Sequence, residues 1–187
     1  PGGPGAPEDG WRFDPHVGET LFSAEAIAAK VAELGRRITE DHQGRTPLLV
    51  TVLKGSLVFV SDLMRAITGP VELDVLAVSS YGEATKSSGV VRIVKDLDRD
   101  VAGRDVILVE DIVDSGLTMR YLLERLSSQN PASLKVCSLL IRDGGQRSAV
   151  PIDYEGFRLP ASAFVIGYGL DAAQLYRNLP FVATYLP

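Results

Sequence analysis

The chain has 187 residues, 45% hydrophobic and 23% charged, with a formal net charge of −5. That balance specifies a globular domain of ordinary size rather than a disordered chain. With a pI near 5.1, it argues against a general binder of nucleic acid or of a membrane surface, each of which needs a basic face.

Residues 1–19, opening Pro1-Gly2-Gly3-Pro4-Gly5, read as a flexible lead to a single domain over 20–187. Ser23 is placed to cap a helix running to about His42, with Ile27, Val31, Leu34 and Ile38 spaced three and four apart. Leu48–Leu53 is a short apolar run of the kind a buried parallel strand requires, with Lys54-Gly55 at its end. A helix is expected over Ser56–Ile67, closed by Gly69-Pro70, and a strand over Glu72–Ser79. Residues 80–89 are small, polar and bounded by glycine, so they read as the tip of a long hairpin returning along Val90–Lys95. Val106–Val109 is a further buried strand, and helical spacing resumes over Leu117–Leu126. Leu134–Ile141 reads as a strand containing the one cysteine, Cys137. That count rules out a disulfide framework or a cysteine-rich zinc site within one chain, and a buried thiol is compatible with a reducing cytoplasm. Phe164–Gly169 and Phe181–Tyr185 complete the strands. Strands alternating with helices imply an α/β fold: a mostly parallel twisted sheet with helices on both faces, plus a small hood formed by the chain ends. No stretch has membrane-spanning length and no signal peptide is visible.

The most informative run is Val106-Ile107-Leu108-Val109-Glu110-Asp111-Ile112-Val113-Asp114-Ser115-Gly116-Leu117-Thr118. Apolar residues deliver two adjacent carboxylates to the C-terminal end of a strand, where open α/β sheets bind ligands. A loop entering a helix presents N–H groups to phosphate, and Gly116 permits close approach of the backbone. Two neighbouring acids accept hydrogen bonds from sugar hydroxyls or hold a hard cation. A plainer reading is that Glu110 and Asp111 end the strand and Asp114 or Ser115 caps the helix.

This run resembles the phosphoribosyl-pyrophosphate motif of type I phosphoribosyltransferases. Together with Leu53–Ser56, Ser79–Gly82, Val94–Asp98, Phe164–Asp171 and Tyr176–Pro180, it is similar to the hypoxanthine-guanine branch over roughly residues 20 to 186. The resemblance implies a purine-salvage enzyme that joins hypoxanthine or guanine to phosphoribosyl pyrophosphate (PRPP), giving IMP or GMP and pyrophosphate. By resemblance, Glu110 and Asp111 hold the ribose hydroxyls, partly through Mg2+, and Asp114, Ser115, Gly116, Leu117 and Thr118 cradle the 5-phosphate. Asp114 also falls where the family handles the proton on purine N7, which makes it the general acid/base candidate. Lys54, Gly55 and Arg177 match the pyrophosphate side, where the peptide at the lysine loop is often cis. Asp171 matches a residue that orients a second magnesium. Ile112, Arg142, Phe164 and Val165 fall on the purine side, with the Phe164 ring to stack on the base. Ser80 and Tyr81 match a lid that excludes water. The resemblance further implies a homodimer or homotetramer with no nucleic-acid or membrane partner.

One departure bears on base choice. Arg142 stands where the family usually has a lysine that contacts the purine O6; the charge is kept, but the donor fork is wider. Leu117 stands where some relatives have lysine. The alternatives are a PRPP-sensing regulatory protein that binds nucleic acid, or a phosphoribosyltransferase for xanthine or another base. His16 and His42 fall outside every motif.

Overall fold

A computed structural model of the chain describes residues 10–11, 13–80, 91–144 and 150–187. In chain order the elements are β1 (Val17–Phe22), α1 (Ala24–Asp41), β2 (Leu48–Leu53), α2 (Leu57–Ala66), β3 (Glu72–Ser80), β4 (Val91–Lys95), β5 (Asp105–Val113), α3 (Leu117–Ser127), β6 (Ser133–Arg142), β7 (Tyr154–Leu159), β8 (Val165–Ile166) and β9 (Val182–Tyr185).

The main sheet has the order β4-β3-β2-β5-β6-β7. All its pairings are parallel except the β3–β4 hairpin. Burial on both faces explains the nearly continuous apolar runs of β2 and β5. Leu49, Ile107, Val109 and Cys137 pack with the α1 stripe Ile27, Val31, Leu34 and Ile38 and with Phe59, Val60 and Leu63 of α2. Leu48, Val50, Val52, Val106, Leu108 and Val136 pack on the other face with Met119, Leu122 and Leu126 of α3. Each such side chain contributes about 1.5–3 kcal/mol when fully buried. Ser23 caps α1 as expected, its hydroxyl accepting from the Ala26 N–H at 3.2 Å.

The ends of the chain build the hood, a second sheet of order β1-β9-β8. Here the sequence reading needs correction. β1 begins at Val17, inside the stretch read as a lead, and it pairs antiparallel with β9. Only Val165–Ile166 of the run Phe164–Gly169 is strand, because the chain then turns through Gly167 and Leu170. β7 was not anticipated; it is an edge strand carrying Glu155, Gly156 and Arg158, which obscure its pattern.

Candidate active site

The chain leaves β2 for α2 on one face of the sheet and leaves β5 for α3 on the other. Adjacent parallel strands whose connections depart in opposite directions open a crevice at their C-terminal ends. A pocket of about 250 Å³ lies there, lined by Val52, Leu53, Gly55 and the β5–α3 segment from Glu110 to Gly116, with Thr118 and Met119.

β5 does not end at the acids, as the sequence suggested. It runs to Val113, with Glu110 opposite Ser138 of β6. The acids are therefore held by a rigid strand rather than a loop. Glu110 is buried, and Asp111 turns back so that its Oδ1 accepts the Ile112 N–H at 2.9 Å. Burial, and then the neighbouring Asp111 carboxylate, push Glu110 well above the ordinary range. Burial also raises Asp111, opposed by backbone hydrogen bonds, chiefly that from Ile112.

This has a consequence for stability. A carboxyl with a folded pKa above its unfolded value stabilises the fold at low pH and loses that contribution as pH rises through the folded value. The substrate-free protein is thus expected to lose stability from Glu110 as pH rises above about 4, the unperturbed range. Glu110→Gln should flatten that slope and raise the melting temperature at neutral pH. Thermal melts across the pH range check this, and a variant less stable than wild type at neutral pH would contradict it.

The phosphate loop follows. Gly116, with φ of 74°, is the N-cap of α3, so the cap residue itself brings no side chain to the first turn. Asp114 is therefore not the N-cap, and Ser115 contributes at most one long bond. The Leu117 N–H makes only a long contact to Ser115 Oγ, 3.4 Å. First-turn N–H groups without intrahelical partners form an anion site. Leu117 itself is exposed, so its side chain is free to vary.

On the other wall the Leu53–Lys54 peptide is cis. Gly55 is wedged tightly, since a Cβ there would lie 1.8 Å from Asp111 Oδ2. The hood reaches this loop at Gly169, with φ of 99°, where a Cβ would lie 2.1 Å from the Gly55 carbonyl oxygen. Arg177 donates to the Gly169 carbonyl at 2.7 Å and pairs with Asp171 at 2.9 Å. Lys54 and Arg177 both reach Gln174 Oε1, at 3.4 and 3.2 Å. Nothing in the sequence pattern had singled out Gln174.

On the base side, Arg142 Nε lies 3.2 Å from Asp114 Oδ1. Its Nη1 donates to the Ala163 carbonyl at 2.5 Å, with longer contacts to Pro160 and Ala161. Arg142 thus ties the acid/base candidate to the turn before Phe164. The Phe164 ring is 57% exposed and edges against Tyr185 at 5.6 Å, available for stacking. Val165 is buried and paired with Thr184, so its side chain cannot meet a base and only its backbone remains a candidate. Ile112 lines the pocket.

Ser80 is not in a loop: it ends β3, opposite Val91. Tyr81 and the rest of the expected lid, 81–89, lie outside the described residues. Lys95, from the matched run Val94–Asp98, is engaged by the Val75 and Asp96 carbonyls and by Asp98, a structural role. His16 and His42 are likewise occupied, by the Leu186 and Ile38 carbonyls. Among the described residues no three acids, histidines or cysteines gather as a metal cage. Glu110 and Asp111 therefore stand apart from Asp171. Hard oxygen donors in ones and twos suit magnesium, which is commonly held by one or two carboxylates plus substrate phosphates.

The chain matches the family model of the phosphoribosyl transferase domain over residues 18–173. It is 50% identical over 177 residues to the hypoxanthine-guanine phosphoribosyltransferase of Mycobacterium avium, covering 91% of this chain and 87% of that protein. It is 46% identical over 171 residues to the protein of the same name from Bacillus subtilis, covering 91% and 94%. A hypoxanthine phosphoribosyltransferase structure from Staphylococcus aureus superimposes with a TM-score of 0.90 at 37% identity, covering 96% of this chain and 97% of that one.

Proposed function

The chain belongs to the phosphoribosyl transferase family, in its hypoxanthine-guanine branch, and from that membership we propose how its residues divide the transfer of a 5-phosphoribosyl group from PRPP to hypoxanthine or guanine. One observation carries the assignment. At a single strand switch the fold brings together an acid pair, the buried Glu110 and the partly buried Asp111, a helix N-terminus entered through Gly116, and the loop of Lys54 and Gly55.

The reaction is substitution at ribose C1. The bond to pyrophosphate breaks, the bond to purine N9 forms, and the sugar passes through an oxocarbenium-like state. Glu110 and Asp111 accept hydrogen bonds from the ribose hydroxyls, and the loop entering α3, from Asp114 to Thr118, takes the 5-phosphate. Lys54, the Gly55 backbone and Arg177 receive pyrophosphate. Asp114 manages the proton at purine N7, and Phe164 stacks on the ring with Ile112 beneath the base. Glu110 and Asp111 would hold one magnesium and Asp171 would orient a second; when bound, the metal neutralises charge growing on pyrophosphate. Titrating PRPP calorimetrically with and without magnesium tests this division. PRPP affinity that ignores both the metal and the Asp111→Asn change would refute it.

Arg142 supplies the base choice. A guanidinium has only N–H donors. The O6 of a 6-oxopurine accepts one of those not already given to Asp114 and Ala163, whereas the amino group of adenine sets a donor against a donor. Discrimination above about tenfold is expected. Arg142→Lys should retain 6-oxopurine activity. Arg142→Ala should lower it and narrow the gap to adenine, with some loss of kcat as well because Asp114 loses its tether. An unchanged base profile in Arg142→Ala would remove this role.

A cytoplasmic location and assembly as a homodimer or homotetramer complete the reading. No described helix is long and apolar enough to cross a membrane.

A further inference from the structure

The hood turn that follows Asp171 is built at a conformational cost. Ala172 and Leu175 exchange backbone hydrogen bonds of 3.2 and 3.0 Å, closing a two-residue turn whose central residues, Ala173 and Gln174, have φ of 50° and 71°. Glycine, asparagine or aspartate would suit such a turn better. Glutamine brings something that glycine lacks and that asparagine is too short to extend as far: a carbonyl oxygen on a long arm. The Gln174 N–H donates to Asp171 Oδ2 at 2.8 Å, which fixes the base of that arm. Its Oε1 accepts from Arg177 Nη2 at 3.2 Å and from Lys54 Nζ at 3.4 Å. One neutral oxygen therefore sits between a cation from the β2–α2 loop and a cation from the hood.

Charge explains why that acceptor is neutral. Lys54 and Arg177 repel one another, and Asp171, paired to Arg177 at 2.9 Å, offsets one of the two charges. Among these three groups one net positive charge remains for an incoming anion, with the Asp111 carboxylate also within reach of Arg177. A carboxylate in place of the amide would hold the cations equally well and leave none.

We infer that Gln174 is a positioning residue for pyrophosphate: it gathers Lys54 and Arg177 on a common uncharged acceptor, so that the two wait together for the diphosphate of PRPP without being neutralised. The inference rests on the assignment of Lys54 and Arg177 to the pyrophosphate side.

The test is steady-state kinetics of the full chain with PRPP and hypoxanthine, on Gln174→Ala, Gln174→Met and Gln174→Glu, beside Lys54→Ala and Arg177→Ala. Thermal melts of each variant separate these effects from loss of fold. Methionine keeps the length of the arm and removes the acceptor. Gln174→Ala and Gln174→Met are expected to raise the KM for PRPP about fivefold, the scale of one ordinary net hydrogen bond. The KM for hypoxanthine and kcat should move little. Gln174→Glu should raise the KM for PRPP further, because the carboxylate competes with pyrophosphate for the cations. A Gln174→Glu variant that binds PRPP as well as wild type overturns the charge argument and the proposal with it. If Lys54→Ala and Arg177→Ala weaken PRPP but no Gln174 variant does, the positioning role alone falls. If neither cation variant affects PRPP, the pyrophosphate assignment falls and takes Gln174 with it. Equal changes in both KM values and kcat would mark a merely structural residue and also overturn it.

Discussion

Replacing Asp114 by asparagine is expected to lower kcat by about 10²–10⁴-fold, the usual contribution of a general acid/base, while changing the KM for PRPP little. Asp114 lines the pocket at its mouth, one residue past β5, with much of its carboxylate open to an incoming base. It does not cap α3, since the cap is Gly116, so the substitution leaves the phosphate loop intact. Arg142 Nε, 3.2 Å away, aims the carboxylate, and an asparagine oxygen can still accept that bond. What asparagine cannot do is take up and return a proton at N7. Binding and chemistry should therefore separate: phosphate affinity stays with the backbone, and turnover falls. Near-normal kcat in Asp114→Asn would remove the residue from the proton step.

Gly55→Ala should be nearly as damaging, although it adds only one methyl group. Its Cβ would lie 1.8 Å from Asp111 Oδ2, deep inside van der Waals contact. The loop cannot retreat freely, because the Gly55 carbonyl oxygen is already pressed against Gly169. Either the Asp111 carboxylate leaves its place beside the ribose site or the Lys54 loop is displaced from pyrophosphate. A misplacement of about 1 Å can cost about 10²-fold, and kcat/KM for PRPP is expected to fall by at least that much. A thermal melt run alongside distinguishes a displaced site from an unfolded protein. A well-folded Gly55→Ala enzyme with wild-type kinetics would show that this loop does not seat the leaving group.

The sequence made the sheet core readable because β2, β5 and β6 are buried on both faces and so are written as apolar runs. It concealed β1 because that strand's partner, β9, lies at the other end of the chain, and local pattern carries no trace of so distant a pairing. It concealed β7 because an edge strand needs no continuous apolar run, and Gly156 sits where any Cβ would lie 2.1 Å from the Leu139 carbonyl oxygen. The Glu110–Thr118 run was legible because rigid-strand acids and a glycine-entered helix must be contiguous in sequence. The Gln174 arm and the Arg142–Asp114 tether were not, since each joins segments far apart in the chain. One local sign of the hood's role emerges only from backbone angles. Tyr168, Ala173, Gln174 and Tyr176 all have positive φ, and such departures gather where function over-determines the chain.

The central claim is that this site transfers a phosphoribosyl group to a 6-oxopurine under divalent-ion control. The most direct measurement is turnover with PRPP and magnesium on hypoxanthine, guanine, xanthine and adenine side by side, repeated after chelation. The account predicts IMP and GMP as products, adenine used more than about tenfold less well, and activity lost on chelation and restored by magnesium. Comparable turnover of adenine, or full activity after exhaustive chelation, would contradict it.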